Sequence, residues 1–242
     1  MSKKLALVTG GTRGIGAAIA KRLQEDGHTV ISTFIGHPEA AEAFSKETGI
    51  KTYKFDVGYF ESCQKGIEEV EKSTGKTVDV LINNAGITKD RFLHKMSAEE
   101  WNAVINTNLN SVFNVTRNVI EGMRKKSWGR IVNLSSVNGV KGQIGQANYS
   151  AAKAGLIGFS KAIAQENANK GITVNVIAPG YVGTDMVKKI DPKILQGIVG
   201  QIPVGRLADP SEIAALASYL CSEEAGFITG ATMNINGGQY MQ

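Results

Sequence analysis

Near the start of the chain stands Leu5-Ala6-Leu7-Val8-Thr9-Gly10-Gly11-Thr12-Arg13-Gly14-Ile15-Gly16. An apolar run of strand length meets a glycine cluster, and Ile15, Ile19 and Leu23 then fall one turn apart on one helical face. Glycines at 10, 14 and 16 permit a tight turn and let backbone N–H groups approach a phosphate. The helix that follows turns the positive end of its dipole to the same place. In this strand–turn–helix setting the glycine run reads as the pyrophosphate cradle of a dinucleotide site. Its residues are Gly10, Thr12, Arg13, Gly14, Ile15 and Gly16.

Outward from that stretch the alternation repeats. Further strands are predicted at Thr29–Thr33, Lys51–Asp56, Val78–Asn83, Arg130–Leu134, Thr173–Ala178 and Thr232–Ile235. Between them lie helices opening at Pro38 and spanning about Tyr59–Ser73, Ala98–Lys126, Tyr149–Asn169 and Pro210–Cys221. Alternating strands and helices give parallel strands joined by right-handed crossovers. The expected fold is α/β, a single doubly wound (Rossmann) domain over residues 1–242 with about seven parallel strands and helices on both faces.

Composition narrows the function classes. With 42% hydrophobic and 20% charged residues the chain is too apolar for disorder. Cys63 and Cys221 stand alone, so neither a metal cluster nor a disulfide framework is expected, and a reducing, cytoplasmic setting fits. The apolar run after Lys4 is too short for a signal peptide, and the uncharged tail Ala225–Gln242 is too polar to span a membrane. The formal charge of +5 is scattered, densest at Arg124-Lys125-Lys126 and Lys188-Lys189 with few aromatics between, so no nucleic-acid partner is expected.

The cofactor follows from charge. An NAD site places an acid at the end of the second strand to meet the ribose 2′-hydroxyl. Here that region is Thr33-Phe34-Ile35-Gly36, with no acid before Glu39. Arg13 stands inside the glycine loop, where a guanidinium can hold a 2′-phosphate. Both features predict NADP(H).

A second constellation carries the chemistry. Ser136 follows the fifth strand, and Tyr149 and Lys153 share a helical face four residues apart. A phenol is a poor acid–base group near neutrality, and a neighbouring ammonium is expected to lower its pKa. Tyr149 would then protonate a carbonyl oxygen while Ser136 supplies a second hydrogen bond.

The glycine spacing G-x-x-x-G-x-G together with Ser136 and Tyr149-x-x-x-Lys153 resembles the short-chain dehydrogenase/reductase family over essentially the whole chain. The resemblance implies further residues. Asn84, Ala85 and Gly86 of an Asn-Asn-Ala-Gly motif, and the pair Asp56-Val57, would line the adenine side. Pro179, Gly180, Val182 and Thr184 would lie on the nicotinamide side, with Tyr149 and Lys153 also touching the cofactor. Asn108 would be a fourth catalytic residue, holding a water that backs Lys153. A non-catalytic NADP-sensing module would have lost Ser136, Tyr149 or Lys153.

Ile87–Asp90, Ser135–Ser150, Pro179–Val187 and Asn236–Met241 look like reductases of β-ketoacyl thioesters, and the second and third stretches resemble those acting on acetoacetyl-CoA. That resemblance implies a pocket lined by Gln143, Gln146 and Tyr181 with Asp90 at its mouth, beside Ser136 and Tyr149. The alternative partner is an acyl-carrier-protein thioester. Carrier-protein reductases typically have arginines where this chain has Ser127 and Lys170. On the other side, Asp191 replaces a basic residue of the acetoacetyl-CoA type, leaving Lys188, Lys189 or Lys193 for CoA phosphates. A lid is expected at about 180–203, with Tyr181, Met186, Ile190, Leu195, Ile198 and Ile202 on its apolar side. The resemblance also implies a homotetramer built through the helices at 98–126 and 149–169.

Overall fold

A computed structural model describes residues 3–184, 187 and 191–241 of the chain. Seven strands form one sheet: β1 (Leu5–Val8), β2 (Thr29–Phe34), β3 (Lys51–Lys54), β4 (Val80–Asn83), β5 (Gly129–Leu134), β6 (Ile172–Pro179) and β7 (Thr232–Ile235). Their order is β3-β2-β1-β4-β5-β6-β7, and every neighbouring pair is parallel. Sequence order reverses between β1 and β4, which opens a crevice beyond the carboxyl ends of those strands.

Helices cover both faces because alternate residues of each strand point to opposite sides. In β1, Ala6 and Val8 face Ile19 and Leu23 of α1 (Gly14–Glu25) and Ile213 and Leu220 of the last helix, Pro210–Cys221. Leu5 and Leu7 face the other core, where Ile67 and Val70 of α3 (Phe60–Thr74) meet Val115, Val119 and Met123 of α5 (Ser111–Lys126). All four β1 residues are buried, which is why the strand reads as an unbroken apolar run. The remaining helices among the described residues are α2 (Pro38–Thr48), α4 (Ala98–Ile105), α6 (Val137–Lys141), α7 (Ala147–Asn167) and α8 (Pro192–Val199), and the helix from Pro210 is labelled α9.

The helical stretch expected over 98–126 is interrupted. Between α4 and α5 lies a π-helical turn, Asn106–Asn110, closed by the bond from Ser111 N–H to the Asn106 carbonyl. Within it the Asn108 side chain bonds to the backbone of Ile87, as described below. Within the expected lid, Leu195 and Ile198 of α8 are half-buried and Ile202 is buried. Met186 and Ile190 of that lid, and Lys188 and Lys189, lie outside the described residues. Among the described residues no helix is long and apolar enough to cross a membrane.

Candidate active site

The phosphate loop is held in place from β4. The Thr9 hydroxyl accepts from the backbone N–H groups of Asn84 (3.0 Å) and Ala85 (3.1 Å) and donates to the Ile82 carbonyl (3.3 Å). Asn84 Nδ2 returns to the Thr9 and Gly10 carbonyls at 2.9 and 3.1 Å. Gly10 and Gly14 have φ of +60° and +55°, a region that other residues enter at a cost. At Gly16 a Cβ would fall 2.5 Å from the Gly10 carbonyl and still closer to Asn84 Nδ2. The chain thus keeps an open cradle that side chains would fill. Arg13 at the N-cap of α1 provides no side-chain cap, so no cap acceptor occupies the first-turn N–H groups. Those donors, the helix dipole and the glycine backbone fit a pyrophosphate.

The other expected cofactor residues lie at or beyond the carboxyl ends of β1, β3 and β6. Thr12 and Ile15 are half-buried, Ile15 against the α1-side core. The Thr184 methyl would meet a Cβ on Gly14 at 3.4 Å, so Thr184 faces the loop. Gly180 has no room for a side chain: a Cβ there would press on Gln239 Oε1 and lie 2.8 Å from Asn236 Cα. Pro179 ends β6, and Val182 is buried and bridges to Ala208. Asp56 Oδ1 accepts from Gly58 N–H (2.9 Å), and the Val57 carbonyl accepts from Asn114 Nδ2 (3.0 Å). Arg13 is exposed, and the end of β2 runs through Phe34 and exposed Ile35 to a left-handed His37 without an acid.

Ser136, at the end of β5, opens α6 as its N-cap, its oxygen accepting from Asn138 N–H at 3.1 Å. With that acceptor role filled, the Ser136 proton is free to turn toward the Tyr149 phenol, whose pKa Ser136 lowers. Lys153, one turn after Tyr149 on α7, is buried; its Nζ donates to the Leu134 carbonyl at 2.7 Å and lies 5.6 Å from the Tyr149 ring centroid.

The electrostatics here correct one expectation. Burial pushes the Tyr149 phenol above its ordinary pKa, the Ser136 hydroxyl offsets part of that, and the Asp90 charge pushes it further up. Burial lowers Lys153 to about 8. Helical spacing correctly puts the two side chains on one face, but the ammonium is directed to the end of β5 rather than to the phenol oxygen. The phenol is held protonated.

Asn108 braces the segment after β4. Its amide is spent on one residue, Nδ2 donating to the Ile87 carbonyl (2.7 Å) and Oδ1 accepting from Ile87 N–H (2.9 Å). It clamps the strand-end segment that carries Gly86. A Cβ on Gly86 would sit 2.5 Å from Asn108 Oδ1 and 3.6 Å from Lys153 Nζ, so only glycine separates the two.

Of the expected substrate residues, Asp90 and Gln146 are brought together, Gln146 Nε2 donating to Asp90 Oδ2 at 2.9 Å. Gln143 is exposed and its carbonyl accepts from Gln146 N–H (3.1 Å). Tyr181 is half-buried and lines a cleft with Gly180, Ile202 and Val204, a cleft that includes none of Asp90, Gln143 and Gln146. Sequence reasoning missed Thr9, Asn138 and Asn148. Asn148 Nδ2 donates to the carbonyls of Lys89 (3.0 Å) and Glu100 (3.3 Å), while its Oδ1 accepts from Tyr149 N–H (2.8 Å). The position of Thr9 between strand and glycines, and of Asn148 beside Tyr149, were the available signals.

Residues 10–239 match the family model described as "Enoyl-(Acyl carrier protein) reductase". The chain is 59% identical to an acetoacetyl-CoA reductase of Shinella zoogloeoides and 58% identical to one of Paracoccus denitrificans, each over 98% of both chains. It is 46% identical to the 3-oxoacyl-[acyl-carrier-protein] reductase FabG of Vibrio harveyi, again over 98% of both.

Proposed function

Because this chain belongs to the short-chain dehydrogenase/reductase family, we propose that it reduces a β-ketoacyl thioester with NADPH, turning acetoacetyl-CoA into 3-hydroxybutyryl-CoA. The observation that carries the reading is the placement of Ser136 beside the Tyr149 phenol at the end of β5, with the buried Lys153 donating to the Leu134 carbonyl beneath them. Gly10, Thr12, Gly14, Ile15 and Gly16 would hold the pyrophosphate, Arg13 the 2′-phosphate, and Asp56, Val57 and Asn84–Gly86 the adenine side. Pro179, Gly180, Val182 and Thr184 would flank the nicotinamide. When bound, that cofactor supplies the hydride.

The protein's own groups do the rest. Ser136, its oxygen committed to Asn138 N–H, donates its proton to the substrate carbonyl oxygen. Tyr149 is kept protonated by burial and by the charge of Asp90, the state a general acid needs, and gives its proton to the same oxygen. The phenolate left behind is stabilised by Lys153, which with a pKa of about 8 is protonated about ten to one at neutrality. Asn108 contributes by fixing Gly86 and Ile87 beside that ammonium.

Acetoacetyl-CoA is favoured over a carrier-protein thioester by the higher identity to the two acetoacetyl-CoA reductases. Ser127, in the left-handed C-cap of α5, replaces a docking arginine of the carrier-protein type and supports the same choice. Two free, buried thiols, Cys63 and Cys221, each pushed up to about 12 by burial, suit a reducing cytoplasm. A groove between α5 and α7 lined by Phe113, Ile120, Phe159 and Ile163 supports a homotetramer through those helices. The test compares NADPH oxidation with acetoacetyl-CoA, longer acyl-CoAs and acetoacetyl-carrier protein. A higher kcat/KM for the carrier protein would replace this reading with 3-oxoacyl-[acyl-carrier-protein] reduction.

A further inference from the structure

A donor that occupies the Ser136 oxygen restricts its hydroxyl rotor and favours turning the proton into the site. The donor is the backbone N–H of Asn138, and Asn138 is itself held by a chain of amides. Asn138 Nδ2 donates to Gln146 Oε1 at 2.9 Å, and Gln146 Nε2 donates to Asp90 Oδ2 at 2.9 Å. A carboxylate only accepts, so Asp90 decides which end of Gln146 faces it. Gln146 then decides which end of Asn138 faces Gln146. One charge orients both amides.

Two further contacts fix the ends of this chain. Arg91 N–H donates to the Gly145 carbonyl at 2.7 Å, and Asn148 Nδ2 donates to the Lys89 carbonyl at 3.0 Å, so the segment carrying Asp90 is tied to the loop carrying Gln146. The imposed direction also leaves a mark. Asn138 Oδ1 is turned to a buried place where it accepts nothing.

We propose that Asn138 is a positioning residue for Ser136, oriented through Gln146 by Asp90. The chain of amides holds the start of α6 so that Ser136 accepts from the backbone and points its proton at the substrate oxygen. The inference rests on the reductase reading above and departs from the family resemblance at one point. Gln146 and Asp90 act chiefly through Asn138 rather than as direct ligands of the acyl group, since each spends a polar end on the chain.

The experiment is a double-mutant cycle on the full-length enzyme with NADPH and acetoacetyl-CoA. Asn138→Ala is expected to lower kcat about tenfold while KM for the thioester stays within about threefold. Introduced into Ser136→Ala, it should cost less than about twofold more, because the residue it positions is already gone. Asp90→Asn, which keeps an acceptor for Gln146, should retain more kcat than Asp90→Ala. Equal losses from Asn138→Ala in both backgrounds, or a loss confined to KM, would overturn the proposal. If the unsubstituted enzyme reduces no β-ketoacyl thioester, the functional reading fails instead. The chain is then judged by a readout without turnover: the side-chain amide resonances of Asn138 and Gln146 should both move in Asp90→Ala, and an unmoved Asn138 overturns it.

Discussion

Lys153 Nζ and the carbonyl oxygen of Leu134 lie 2.7 Å apart, so the buried ammonium is anchored to the last residue of β5, next to Ser135 and Ser136. The bond partly compensates a charge that burial has weakened to a pKa of about 8.

Rate and stability should therefore move in opposite directions as pH rises. Above about 8 the folded chain loses the Lys153 proton, whereas in the unfolded chain lysine keeps it to about 10.4. Between those values the unfolded state binds more protons, so this group adds stability with rising pH. The reduction rate falls over the same rise as the ammonium disappears. Paired pH profiles of kcat and of urea midpoint, with Lys153→Met as the control lacking the stability rise, check both signs.

Tyr149→Phe removes the phenol proton that the proposed reduction uses. Turnover should fall about 10²- to 10⁴-fold with the unfolding midpoint nearly unchanged. A variant with near wild-type turnover would refute the assignment of Tyr149.

Gly16→Ala should harm both fold and cofactor affinity. The added methyl meets the Gly10 carbonyl at 2.5 Å and presses on Asn84 Nδ2, an overpacking that costs about 1–3 kcal/mol. Thermal melts and NADPH titration by fluorescence should both register the change.

Arg13→Ala should lower the NADPH-over-NADH preference in kcat/KM. Losing one charge-assisted pairing of about 1.5–3 kcal/mol corresponds to about 10- to 100-fold. An unchanged ratio would remove Arg13 from the 2′-phosphate site.

Phe113 is half exposed on the groove between α5 and α7. Phe113→Glu should shift the sedimentation coefficient toward smaller species if those helices assemble the oligomer, and leave it unchanged if they do not.

The fold was legible because its central strands are buried on both faces. Leu5–Val8 and Val80–Asn83 have no solvent side to interrupt the apolar run, and each helix beside them shows a single apolar stripe. The π-turn at Asn106–Asn110 left no such trace. Its residues are compatible with a continuous helix, and its Asn108 side chain bonds to the backbone of Ile87, some twenty positions away. Helix α6, with five residues, is shorter than any reliable period. Within the site, spacing was enough to bring Tyr149 and Lys153 onto one face. It could not say that the ammonium would be drawn to Leu134, nor that Asn138 would join Gln146, because both depend on what β5 and the 87–91 segment place opposite them.

The tie between Thr9, Gly10 and Asn84 also bears on how the chain reaches its native state. The phosphate loop occupies the first sixteen residues, yet two of its carbonyls are satisfied by a side chain some 74 positions later. An emerging polypeptide must therefore complete four strands before the loop acquires its final shape. Such long-range closure is slow compared with local helix formation. The glycine segment is among the earliest parts synthesised and among the later ones to become competent, and a fragment ending before Asn84 should bind no dinucleotide however intact its first strand and helix.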